Sequence, residues 1–138
     1  MGAVMTMGIG AVISLSTKQK VNARSSTEAE LVSVDDVIAK ILWTKKFIEW
    51  QGFEVYLNIL YQDNTSTIKL EMNGKTSCGK RTSHFDIKLL YVTNLVERKE
   101  VTIKYCPTDE MMADFFTKPF VGNKFGTEKK KIINNTYS

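Results

Sequence analysis

Between Ser25 and Gln51, apolar residues recur at spacings of three and four, and they do so on two flanks at once. Leu31, Val34, Ile38, Ile41, Leu42 and Ile48 form one stripe, and Trp43, Phe47 and Trp50 form a second beside it. Ser25-Ser26-Thr27-Glu28 opens the segment as a capping box, in which the serine and the glutamate three residues later satisfy free backbone N–H groups reciprocally. Gly52 closes it at the position just past the last turn. A long helix that is apolar on two flanks is a central one, packed deeply rather than lying on a surface. It requires further layers to cover it, and the flanking segments read as strands that supply them.

Residues 3 to 7 and 11 to 16 are rich in Val, Ile and Met around Gly8-Ile9-Gly10, a hairpin signal. Val55 to Leu60 is nearly continuously apolar, as in a strand covered on both faces, and ends at Gln62-Asp63. A short helix is expected from Asn64 to Met72, stopped by Asn73-Gly74. A polar loop, 74 to 82, then leads to Ser83 as the cap of a helix running to about Arg98. Val101, Ile103 and Tyr105 alternate as a strand, and Cys106-Pro107-Thr108 turns into a last short helix holding Met111, Met112, Ala113, Asp114 and Phe115. Beyond Lys118-Pro119 the polar composition predicts a frayed tail, so the domain is placed at 1–117 and the tail at 118–138. The order predicts an α/β domain, a mixed sheet with helices packed on it.

At 138 residues the chain has room for one ordinary domain, and a net charge of +4 leaves many partners open. The distribution of charge says more. Residues 1 to 27 hold no acid, and two further basic groups follow: Lys75, Lys80 and Arg81, then Lys118, Lys124, Lys129, Lys130 and Lys131. Such segments suit a polyanion bound through its phosphates, or are simply solvated lysines. Cys78 and Cys106 have no metal-type spacing and read as reduced thiols inside a cell. The apolar stretch Met1 to Leu15 is too short to span a bilayer and lacks a basic leader region. Its first six residues fit an N-myristoylation pattern, but Gly8 and Gly10 make the same stretch read as the hairpin.

Three acids, Glu30, Asp63 and Asp114, sit where regular elements start or stop, each embedded in an apolar stretch. Taken singly, each has a plain explanation: Glu30 as a solvated acid at a helix start, Asp63 as a cap, Asp114 as one more acid near a helix dipole. Glu28 is accounted for by the capping box. Taken together, three carboxylates from separate segments have the oxygen chemistry that hard divalent cations require, and paired ions so held hydrolyse phosphodiesters.

Four segments then carry a resemblance: Ser25-Ser26-Thr27-Glu28-Ala29-Glu30-Leu31; Tyr61-Gln62-Asp63-Asn64; Lys80-Arg81-Thr82-Ser83-His84-Phe85-Asp86-Ile87; and Cys106-Pro107-Thr108 through Asp114 with Thr117-Lys118-Pro119. In this order and spacing they resemble the ribonuclease H domain at the end of copia-type retrotransposon polyproteins, over about Gly2 to Phe125. The resemblance implies a ribonuclease H-like fold and two Mg²⁺ ions that act in cutting the RNA strand of an RNA/DNA hybrid. It implies Glu30, Asp63 and Asp114 as metal carboxylates, and Lys80, Arg81 and His84 as nucleic-acid contacts. It also implies the reverse transcriptase portion of the same polyprotein as a partner, no membrane, and an intracellular setting in cytoplasmic particles or the nucleus.

The family's first carboxylate is an Asp on a strand ahead of the hairpin, whereas nothing before Glu28 is acidic here. The chain is therefore expected to lack that first strand, with two consequences. Alone it should cleave little or nothing, leaving a catalytically dead remnant that at most binds nucleic acid as the alternative. Its sheet should show either a gap between the hairpin and the Val55–Leu60 strand, or direct pairing of the two.

Overall fold

The computed structural model describes residues 1–18, 26–77 and 84–133, with the backbone alone for 75–77. Two compact units are present, Met1–Lys20 with Thr108–Ser138, and Val21–Pro107.

The first unit begins with the expected hairpin. Strands β1 (Gly2–Thr6) and β2 (Ala11–Ser16) pair antiparallel with Gly2 opposite Ser16 and Met5 opposite Ile13, and a bulge follows Met5. Gly8 and Gly10 turn the chain at φ 122° and 83°, conformations that side chains with a Cβ avoid. The hairpin lies against the segment around Asp114. The Ser16 hydroxyl donates to the Phe116 carbonyl at 3.0 Å, and a Cβ on Gly2 would stand 2.6 Å from the Ala113 carbonyl oxygen.

That segment corrects two expectations. Instead of one short α-helix it forms two 3₁₀ turns, Thr108–Glu110 and Met112–Phe116. The two turns are three and five residues long, and 3₁₀ geometry suits such short pieces. The polar stretch that follows is no frayed tail over its whole length, because Asn123–Ile133 forms a helix, α4 in chain order. Phe115 anchors it, with ring centroids 5.3 Å from Phe125, 6.2 Å from Phe120 and 5.4 Å from Phe116.

In the second unit, α1 (Ser26–Trp50) is followed by β3 (Ile59–Gln62), α2 (Thr65–Ser77), α3 (His84–Glu97) and β4 (Thr102–Tyr105). β3 and β4 pair parallel, Ile59 beside Thr102 through Gln62 beside Tyr105, with α2 and α3 forming the crossover that a parallel pair requires. The core joins Leu31, Val34 and Ile38 of α1 to Leu89, Val92 and Leu95 of α3 and Ile103 of β4. α3 closes with Lys99 at φ 58°, its N–H bonded to the Val96 carbonyl and that of Glu100 to the Leu95 carbonyl, both at 3.0 Å.

Two further expectations are corrected here. Only the first stripe of α1 is core: Trp43 is 65% exposed and Trp50 90%, and Trp43 stacks on Phe47 with centroids 5.5 Å apart. The strand begins at Ile59 rather than Val55, and Tyr56 and Leu57 stay exposed; among the described residues no strand pairs with 55–57. The stop expected at Asn73-Gly74 is present, since Asn73 leaves helical geometry at φ −118° and a further helical stretch follows it; Gly74 is buried there with space for no side chain, 2.3 Å separating an added Cβ from the Thr93 hydroxyl.

Among the described residues the strands form two separate two-stranded sheets, one antiparallel and one parallel, and no ladder joins them. No described helix is long and apolar enough to cross a membrane. The capping Ser25 and Ser83, and with them Cys78, Lys80 and Arg81, lie outside the described residues.

Candidate functional site

Glu30 lies in the second turn of α1, half-buried one residue before the core residue Leu31. Its Oε2 accepts a hydrogen bond from the hydroxyl of Thr67 at 2.9 Å. Thr67 is fully buried in the first turn of α2, immediately beyond the C-terminal end of β3. Asn64 holds that turn in place, its Oδ1 accepting from the backbone N–H groups of Ser66 at 2.9 Å and Thr67 at 3.2 Å. The capping position expected for Asp63 is thus taken by its neighbour Asn64. Asp63 itself is half-buried at the strand end, four residues before the threonine that holds Glu30.

One turn along α2 from Thr67 stands a carboxylate that the sequence reading did not single out. Residues four apart share a helix face, so Glu71 lies on the side of α2 that receives Glu30. Glu71 is fully buried. Its Oε1 accepts from the Gln62 side-chain amide at 3.2 Å. Burial pushes its pKa up from 4.5 to about 7; the Gln62 bond opposes this, and the nearby charge of Glu30 adds to it. Glu71 Oε2 and Gln62 Oε1 are both buried with no hydrogen-bond partner among the described residues. In the sequence Glu71 is one acid within a helix, and only its pairing with Ile68 and Leu70 as apolar neighbours hinted at an inward position.

Asp114 belongs to the other unit, in the 3₁₀ turn Met112–Phe116. Its Oδ2 is 2.6 Å from the Lys118 ammonium, one turn on, and its side chain is largely covered. The structure thus gathers Glu30 and the end of β3 that bears Asp63 into one corner of its unit, and adds Glu71 to them. Among the described residues no group of three or more His, Cys, Asp or Glu side chains is placed to hold a metal ion. His84 is exposed as the first residue of α3. Glu28 lies in the first turn of α1.

Curated relatives of this chain are retrovirus-related Pol polyproteins of plant transposons. It is 30% identical over 131 residues to that of transposon TNT 1-94 from Nicotiana tabacum, which spans 95% of this chain and 10% of the relative. The polyproteins of transposons RE1 and RE2 from Arabidopsis thaliana are 27% and 26% identical over 132 residues, again 95% of this chain and 9% of each relative. The chain therefore spans about a tenth of the length of these relatives. No family model matches the chain, and no solved structure does.

Proposed function

We propose that this chain is the ribonuclease H-like portion of a retrotransposon Pol polyprotein, whose reaction is Mg²⁺-dependent hydrolysis of the RNA strand of RNA/DNA hybrids during reverse transcription. The observation that carries this reading is the similarity to Pol polyproteins over 95% of the chain. It is joined by the capture of Glu30 at the end of β3 where Asp63 stands. In this reading Glu30, Asp63 and Asp114 are the metal carboxylates, and hybrid recognition relies on backbone and 2′-OH contacts rather than sequence. Lys80 and Arg81 contact the phosphates, and His84 contacts the hybrid. The reverse transcriptase portion of the same polyprotein is the partner.

The donors suit Mg²⁺ in kind, since all are carboxylate oxygens. Lys118 engages Asp114 at 2.6 Å, so a cation there would have to displace that ammonium. That ion pair favours a second reading for the chain by itself, a module that binds hybrid and leaves it uncut.

The deciding experiment incubates the 138-residue chain with an end-labelled RNA/DNA hybrid, with and without Mg²⁺. Cuts confined to the RNA strand, dependent on Mg²⁺ and lost in Asp63→Asn, establish the nuclease. Retention of intact hybrid, weakening steeply as salt rises because phosphate contacts release counterions, establishes the binding module. Neither cutting nor binding removes both readings.

A further inference from the structure

We propose that Gln62, Glu71 and Glu30 hold a single hard divalent cation where the end of β3, the inner face of α2 and the second turn of α1 meet. Glu71 has no place in the resemblance to ribonuclease H, and the inference stands without that reading. It starts from two oxygens. Glu71 Oε2 and Gln62 Oε1 are buried, on side chains 0% and 8% exposed, and neither has a hydrogen-bond partner among the described residues. Both are acceptors. Leaving two such atoms dry and unpaired is costly in free energy, and structures resolve that cost with a proton, a water or a cation.

The surroundings favour the cation. Gln62 donates to Glu71 Oε1 at 3.2 Å, which orients both side chains and brings amide and carboxylate oxygens into one neighbourhood. The charge of Glu30 acts on Glu71 across the same face of α2, and Thr67 fixes Glu30 there through a 2.9 Å bond. A single proton satisfies one oxygen and leaves the rest of the negative charge in place. A divalent cation neutralises both carboxylates and takes the amide oxygen as a third ligand. Mg²⁺ and Ca²⁺ bind such oxygens, and waters complete the six or more ligands that these ions take. This donor set differs from Glu30, Asp63 and Asp114 by the two residues, Gln62 and Glu71, that supply the unpaired oxygens.

The test is thermal unfolding of the 138-residue chain, stripped with chelator and followed by circular dichroism at fixed pH and ionic strength, with Mg²⁺ and then Ca²⁺ titrated in. A saturable rise in Tm of roughly 5 °C at large excess of ion is expected for one site that binds only the folded state. It should vanish in Glu71→Gln, a near-isosteric change, and persist in Asp63→Asn. No rise in the wild-type chain overturns the proposal. So does a rise that Na⁺ reproduces at matched ionic strength, or one that survives in Glu71→Gln. A rise kept in Glu71→Gln and lost in Asp63→Asn also overturns it, while supporting the carboxylates of the nuclease reading. Hybrid cleavage, measured separately, reports on that reading alone.

Discussion

Replacing Glu71 by glutamine is expected to flatten the dependence of folding stability on pH. Burial raises the Glu71 pKa from 4.5 in the unfolded chain to about 7 in the folded one, so folding favours the protonated acid. Below about pH 4.5 both states carry the proton and the group contributes its full stability. Between there and about 7 the folded state keeps a proton that the unfolded state has released, and stability falls by about 1.4 kcal/mol per pH unit. Above about 7 the loss levels off. A shift from 4.5 to about 7 thus converts to a total loss on the order of 3 kcal/mol, a large share of the 5–15 kcal/mol that roughly bounds domain stability. Urea unfolding in metal-free buffer at pH 5 and pH 8, followed by far-ultraviolet circular dichroism, reads this directly. The wild-type chain should lose most of that amount between the two values, and Glu71→Gln should be the more stable protein at pH 8. Equal losses in the two proteins would refute a buried carboxyl at this position and the accounting built on it.

Other outcomes follow from single contacts. Gly74→Ala should destabilise by about 1–3 kcal/mol, because its Cβ would meet the Thr93 hydroxyl at 2.3 Å and Leu89 Cγ at 3.0 Å; adding Thr93→Ala should recover part of the loss in urea midpoints. Thr67→Val should cost about 1–3 kcal/mol by removing the donor to Glu30, and a double-mutant cycle with Glu30→Gln should show that the two losses are not additive. Trp50→Ser, at a side chain 90% exposed, should change the unfolding free energy by less than about 0.5 kcal/mol.

Local chemistry made several elements legible. Gly8 and Gly10 between β-branched runs yield the hairpin because the turn needs their positive φ, and the sequence carries that requirement within three residues. The stripe Leu31, Val34 and Ile38 sits at helical spacing and is core for that reason. The second stripe misled, since Trp43 and Trp50 have the same spacing and face outward. Periodicity marks which residues share a helix face, and only a neighbouring element decides whether that face is covered. Asn73-Gly74 reads as a stop signal, and the helix does break at Asn73, where φ is −118°. The polar run after Pro119 reads as a tail, and the ring of Phe115 gives Phe125 a partner to fold against.

The site divides along the same line. The sequence by itself determined that Glu30, Asp63 and Asp114 belong to three separate segments, because caps, turns and apolar runs are local features. Only the tertiary structure decided that Thr67 holds Glu30, and that Asn64 rather than Asp63 caps α2. Tertiary structure also decided that Glu71 is sealed beside Gln62 with its pKa raised to about 7. A carboxylate's chemistry depends on how much water and how many partners surround it. Those are set by residues distant in the chain, so no local pattern around Glu71 could have announced it.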